Sequence, residues 1–369
     1  MKTALVLLAL LAAPAAARAQ SLELSSDTTS NLGGIAIDPR QVVEDDGATI
    51  VATALGPSAP GIALPDGANL TAFERLPTGE VVFSTDVSVA IAGLAAPGVA
   101  GPSDVVRVDD QGPAVVFSGA QAGLPEGVAV DALGLESDGD LLLSFDTSVE
   151  IGGVAVDDED VVRLDLASGT ASIVYDGSAQ GVSADLDLDA VYRRLGDGHL
   201  LVSFDGSGSA GGVRFDDEDV LDWDPASGAY ALAYDGSAAR AAWPAGADLD
   251  AVSGVPAPCE NGLDDDGDGL VDYPADPACK SASWASEDAA CQNGVDDDGD
   301  GYIDFDGGAS SNGGIAITTP DRACTNAWSS SETASSRCGL GAEVALALAL
   351  VRLGAKRVRG ARRDRAEPV

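Results

Sequence analysis

Two stretches, DDDGDGLVD at 264–272 and DDDGDGYID at 296–304, each place five carboxylates within nine residues. Each begins five residues after a cysteine, Cys259 or Cys291. Carboxylates packed this closely repel one another unless water or a cation screens them. The chemistry that suits them is coordination of Ca2+, a hard ion that takes six to eight oxygen ligands from alternate positions of a flexible loop. In that frame Asp264, Asp266 and Asp268 hold positions 1, 3 and 5, and Gly269 makes the sharp turn at 6. The Leu270 carbonyl is the ligand at 7 and Asp272 stands at 9. The second copy supplies Asp296, Asp298, Asp300, Gly301, the Tyr302 carbonyl and Asp304 in the same places. A bidentate acid at position 12 is missing, because Ala275 and Gly307 stand there. Asp276 is the expected last ligand of the first loop, and Asp306, Asp321 or water that of the second. Affinity is expected in the weak extracellular range of about 10⁻⁴–10⁻³ M. Asn261 and Asn293 open each copy with an Asn-Gly pair that turns the chain or adds a ligand.

These motifs resemble the DxDxDG calcium loops of EF-hand, dockerin and thrombospondin type 3 repeats. The last is nearest, since Asp276 and Cys279 continue its acid-then-cysteine tail. The copies also end alike, CKSASWASE at 279–287 and CTNAWSSSE at 324–332. A whole module is therefore duplicated, over 256–290 and 291–335, with GGASSNGGIAITTP inserted in the second. Trp284 and Trp328 are its only large anchors, so metal and disulfide must hold it together. All five cysteines follow residue 258. Setting Cys338 aside leaves an even four, which in an oxidising compartment predicts two disulfides. Cys259–Cys279 with Cys291–Cys324 is the simplest of three connectivities.

The chain ends agree with export. MKTALVLLALLAAPAAARAQ has Lys2, an apolar run over 4–13 and the small-x-small exit Ala17-Arg18-Ala19, the parts of a signal peptide covering 1–19. The run is too short to span a bilayer, which needs about 20 apolar residues. Residues 336–369 carry Cys338, an apolar segment Val344–Val351 bounded by Glu343 and Arg352, and a basic cluster through Arg365. That order resembles the C-terminal sorting signals of bacterial surface proteins, closest to the MYXO-CTERM type. The resemblance implies retention in the cell envelope, processing near Cys338 and a lipid there, with cationic flanks stopping the segment at the cytoplasmic face. Residues 20–337 hold 11 basic and 57 acidic residues. Such a charge excludes nucleic acid and anionic lipid as partners and suits divalent cations. Membrane contact is expected only through the tail or a lipid on Cys338.

Residues 20–255 repeat. Ser-x-Asp recurs as Ser25/Asp27, Ser84/Asp86, Ser144/Asp146 and Ser203/Asp205, in steps of 59, 60 and 59, and Gly34, Gly93, Gly153 and Gly212 follow in step. Each unit holds four short alternating runs broken by Gly, Asp and Ser, which predict hairpins. Four strands per unit is the pattern of a propeller blade. The first unit lacks its opening strand, and the missing opener, DLDAVSG, appears at 248–254. The expectation is an all-β, four-bladed propeller closed by strands from both ends, so that residues near 22 and 250 are hydrogen-bonded neighbours.

Within the ring, Asp27, Asp86, Asp146 and Asp205 occupy equivalent places past each second strand. They are candidates for a metal-binding rim, or for turn caps acting through their own side chains. The DDED runs at 157–160 and 216–219 read as solvated turns, and the strand-start acids Asp131, Asp189 and Asp250, with Thr71 in the second unit, as structural. The one histidine, His199, sits at an exposed strand start whose equivalents are Glu80 and Asp140, without an orienting partner. No nucleophile elbow, HExxH helix or phosphate loop is present, and no catalytic residue is assigned. The reading is an exported, envelope-anchored, non-enzymatic binding or display protein. Its propeller is carried on a calcium-stabilised stalk and recognises a protein or polysaccharide. The alternative is a calcium-dependent propeller hydrolase using the aspartate rim.

Overall fold

The computed structural model describes residues 21–333, apart from 33–34, 46–49, 53–63, 137–138, 240–246, 282–283 and 285. The signal peptide, Gly34 and the sorting tail with Cys338 lie outside the described residues. The chain divides into two compact units. One holds the residues to Leu263 with Val271–Tyr273 and Ser281–Ala285, the other Asp264–Leu270, Pro274–Lys280 and those from Ser286 onward.

In the first unit, four antiparallel sheets of four strands follow one another. From inside outward, the second blade is Leu70–Arg75, Val81–Thr85, Asp104–Asp109 and Gly112–Ser118. The third is Val130–Leu135, Leu141–Phe145, Val161–Leu164 and Ala171–Tyr175, and the fourth Ala190–Arg193, Leu200–Ser203, Val220–Asp224 and Ala229–Tyr234. The first blade takes its innermost strand, Ala251–Gly254, from the far end of the domain and continues with Leu22–Ser25, Val43–Asp45 and Ile50–Ala52. Leu22 faces Gly254 and Leu24 faces Val252 across that junction, so the ring closes as the split opener foretold. Each innermost strand packs on the innermost strands of both neighbouring blades. The architecture is a closed four-bladed propeller.

Burial explains why these runs become strands. The second strands of blades two and three, VVFST and LLLSF, are buried at every position, as expected for sheets covered on both faces. The fourth strand ALAY end of AYALAY is largely exposed. Four apolar clusters fill the spaces between blades; one joins Ala72 and Val82 to Leu133, Leu141 and Phe145. Each fully buried leucine or phenylalanine contributes roughly 1.5–3 kcal/mol. Polar links also cross the gaps. Tyr234 Oη donates to Asp45 Oδ2 at 3.0 Å, joining blade four to blade one, and Tyr175 and Tyr230 hydroxyls meet at 2.6 Å.

A small hairpin stands between the second and third strands of each blade, which the expected four-strand unit left as a loop. In blade three Val149–Ile151 pairs with Val154–Val156 around Gly152 (φ 58°) and Gly153 (φ 80°). In blade four Gly208–Ala210 pairs with Val213–Phe215 around Gly211 (φ 56°) and Gly212 (φ 87°). A two-residue turn with both central φ positive matches the strand twist, and glycine is the residue that adopts it freely. That is why Gly153 and Gly212 recur in step. No helix among the described residues is long and apolar enough to cross a membrane.

The second unit is built of turns and is closed by a disulfide, Cys291–Cys324. Cys259 and Cys279 are also disulfide-bonded. Cys291–Cys324 is one of the two bridges that the local pairing calls for.

Candidate metal centre

The two acidic loops fold alike. Asp264 accepts from Gly267 N–H through Oδ1 (2.7 Å) and from Gly269 N–H through Oδ2 (3.0 Å). Asp296 does the same with Gly299 (2.7 Å) and Gly301 (2.9 Å). Asp266 and Asp298 accept from the N–H groups of Asp268 and Asp300, and these in turn from Leu270 and Tyr302. One carboxylate oxygen each from Asp264, Asp266 and Asp268 lie within 4.8 Å of one another, and so do those from Asp296, Asp298 and Asp300. Two oxygens bound at 2.3–2.6 Å to one ion stand at most about 5 Å apart, so either trio can share a cation. Asn261 and Asn293 turn the chain, accepting from Leu263 and Val295 N–H.

The outer positions differ in what they do. Asp272 and Asp304 have positive φ, 54° and 52°, and accept from Gly262 and Gly294 N–H. Asp304 is wholly buried; its Oδ1 has no hydrogen-bond partner, and burial pushes its carboxyl up to about 6. Burial likewise lifts Asp266 to about 6. Asp276, 1% exposed, accepts from Ala278 N–H, and Asp321, 3% exposed, accepts from Ala323 N–H in the same way. Asp321 is thus the counterpart of Asp276, and its Oδ2 is buried without a partner. Asp306 instead turns its carboxylate to the N–H groups of Ala309 and Ser310, capping the short helix Ser310–Asn312 of the insertion.

Two residues that the sequence reading left without a role complete the modules. Glu287 accepts from Asp265 N–H at 2.8 Å, and Glu332 from Asp297 N–H at 2.7 Å and Asp304 N–H at 2.6 Å. Both are 1% exposed. The signal was present, since each ends its shared segment eight residues after a cysteine. Glu332 Oε1 lies 3.8 Å from Cys324 Sγ. That sulfur is in a disulfide, so the Asp321, Cys324 and Glu332 group offers a cation only its carboxylates.

The propeller rim is different. Asp27, Asp86, Asp146 and Asp205 accept from the N–H groups of Asp248, Asn69, Ala129 and Asp187, at 3.0, 2.7, 2.9 and 2.9 Å. Each also donates its own N–H to the same residue's carbonyl. Every one ties the end of a second strand to the start of an innermost strand. None of the four belongs to an acid cluster. The serine two places earlier works beside it: Ser84 Oγ donates to the Pro102 and Asp104 carbonyls, Ser144 to Asp158 and Asp160, Ser203 to Asp219 and Ser25 to Gln41. The repeated Ser-x-Asp motif is therefore a brace across the blade. The DDED runs close in similar fashion, with Asp160 holding Asp157 and Gly177 N–H, and Asp219 holding Asp216 and Gly236 N–H.

His199 is not free of an orienting partner. Its Nδ1 meets Asp222 Oδ1 at 2.6 Å, and Arg194 bridges to the same carboxylate. In blades two and three the corresponding pairs are Glu80 with Arg107 and Asp140 with Arg163. Blade four keeps the cross-strand contact with acid and partner exchanged, and Arg194 supplies the positive charge to Asp222 at 2.8 Å. Nε2 faces Asp224 at 3.6 Å, not a hydroxyl or thiol.

No protein-family model matches this sequence, and no curated protein is similar to it. Solved structures match it only weakly. A protein of unknown function from Bacteroides caccae is 11% identical, with 56% of this chain covering 54% of that one at a TM-score of 0.22. A luciferin-regenerating enzyme is 12% identical over 55% of this chain and 59% of its own, at 0.25. YCF48 bound to D1 peptide is 11% identical over 55% and 50%, at 0.24. The chain spans little more than half the length of each.

Proposed function

We propose that the chain is an exported, envelope-retained binding and display protein whose acidic modules bind Ca2+. The propeller supplies a recognition surface, and the modules form a rigid spacer between it and the sorting tail in the chain order. The observation that carries this reading is the duplicated oxygen cage. Two trios of carboxylates converge alike, and the second module also holds buried acceptors, Asp304 Oδ1 and Asp321 Oδ2, that no protein group satisfies. All donors are oxygen, which favours a hard cation over zinc or copper. Disulfides beside these loops favour an oxidising compartment, where external calcium is plentiful. The role is non-enzymatic: the rim aspartates that a hydrolase would need are engaged as braces, and His199 Nδ1 is engaged by Asp222. A protein or polysaccharide is the partner class, and an open polar concavity of about 600 Å³ on blade four, lined by Ser207, Ser209, Arg214 and Asp235 among others, suits hydroxyl-rich ligands.

The test joins location to calcium. On intact producing cells, an antibody to the propeller should label the surface. The purified mature chain should lack residues after Cys338 by mass spectrometry, and chelator should lower its melting temperature. A cytoplasmic protein whose melt ignores chelator would overturn the reading.

A further inference from the structure

Ring closure gathers residues that lie about sixty apart in the sequence. At the start of the innermost strands the equivalent positions are Asn69, Ala129, Asp187 and Asp248, each held by its rim aspartate. Two residues further on stand Thr71, Asp131, Asp189 and Asp250. Five of these eight are carboxylates, all at one end of the propeller axis. Asp131, Asp187 and Asp189 each bring a carboxylate oxygen within 4.8 Å of the other two. The Asp131 and Asp187 carboxyls touch, and so do those of Asp189 and Asp248. Asn69 Nδ2 donates to Asp250 Oδ2.

These acids are not structural in the simple sense the sequence suggested, because their hydrogen bonding is unfinished. Asp189 is only 8% exposed, and its Oδ2 is buried with no hydrogen-bond partner. Asp248 Oδ1 and Asn69 Oδ1 are also buried and accept nothing. The charges acting most strongly on the five carboxyls are all other carboxylates. An unpaired buried charge is expensive, so such a group takes up a proton or a metal. A shared proton bridges two oxygens at most, so three carboxylates within reach of one another, one of them with an orphaned buried oxygen, ask for a centre that binds several at once.

We propose that this end of the propeller axis is a binding site for a hard divalent cation of the Ca2+ class, held by Asp131, Asp187 and Asp189, with Asp248 beside Asp189. Oxygens within 4.8 Å of one another fit ligands at 2.3–2.6 Å from one ion. The donor set holds neither nitrogen nor sulfur, which disfavours zinc and copper. Ligands come from the starts of the innermost strands of two blades, Asp131 from blade three and Asp187 with Asp189 from blade four. The ion therefore clasps one blade to the next. The site is independent of the acidic loops and stands whether or not they bind metal.

The test is a count of bound calcium by native mass spectrometry on the full mature chain, with calcium as the probe. Asp131→Asn with Asp189→Asn, two isosteric changes that relieve repulsion, should lower the count by one relative to the parent. Asp264→Asn with Asp266→Asn should leave that ion in place. In crystals of the parent soaked in terbium, an anomalous peak should stand within about 3 Å of Asp189 Oδ2. An unchanged count in the Asp131/Asp189 variant, or no peak at Asp189, would overturn the proposal. So would a propeller melt that ignores calcium and rises steadily from pH 8 to pH 5, the mark of a proton-sharing cluster.

Discussion

Glu332 offers the sharpest test of how the second module is held. Its carboxylate accepts from Asp304 N–H at 2.6 Å and from Asp297 N–H at 2.7 Å. Asp304 is 0% exposed, so Glu332→Ala strands its N–H away from water, a loss of about 1–3 kcal/mol. Asp297 is exposed, and its N–H turns to solvent at a cost of a few tenths, roughly. Removing the buried carboxylate, whose titration burial has already raised, returns part of this. The net expectation is about 2 kcal/mol, which is about a 30-fold faster amide exchange at Asp304. Glu332→Gln keeps one acceptor oxygen for Asp304 and should fall between Ala and the parent. Hydrogen exchange of the peptide spanning 297–304, in saturating calcium, reads the effect locally. Exchange in Glu332→Ala within threefold of the parent would refute this account of the module.

Asp146→Ala removes one brace between strands and should cost about 0.5–1.5 kcal/mol in urea denaturation, with no loss of bound calcium; a lost ion would return the rim to the metal sites. Glu74 is buried between blades two and three, where its carboxylate accepts from Leu135 N–H, and burial pushes its carboxyl from 4.5 up to about 8. The native state then holds a proton that the unfolded chain releases, so this stabilisation is full below pH 4.5 and drains away as pH rises to 8. Glu74→Gln should gain on the parent over that interval by on the order of 3–5 kcal/mol, at about 1.4 kcal/mol per unit, read from urea midpoints at pH 5 and 8.5; parallel midpoints would contradict it. Gly177→Ala places a methyl 2.5 Å from the Glu159 carbonyl and should lower the melting temperature by several degrees, roughly 2 kcal/mol, whereas Gly153→Ala meets no atom and loses only through its positive φ.

Much of the architecture was legible because it repeats. The Ser-x-Asp steps located all four blades, and the split opener at 248–254 foretold the Leu22–Gly254 register. The acidic spacing located both cages, and the even cysteine count their bridges. What stayed hidden depends on contacts between distant residues. Asp131, Asp187 and Asp189 look like unrelated strand starts until closure brings two blades side by side. His199 and Asp222 are 23 residues apart, and only strand pairing reveals them as partners. Asp321 rather than Asp306 matches Asp276 because the insertion, with its own helix cap, displaces the counterpart by about a dozen residues. Glu287 and Glu332 were visible as repeats but not as acceptors, since a buried glutamate's partners are backbone groups that no motif records.

The central claim is that clustered carboxylate in the two modules is tolerated because Ca2+ neutralises it. Calorimetric titration of the metal-stripped mature chain with calcium, compared with Asp264→Asn/Asp266→Asn and Asp296→Asn/Asp298→Asn, tests it most directly. Each pair should remove one bound ion from the parent's total, with dissociation constants of about 10⁻⁴–10⁻³ M. A parent and variants with the same calcium stoichiometry would contradict it.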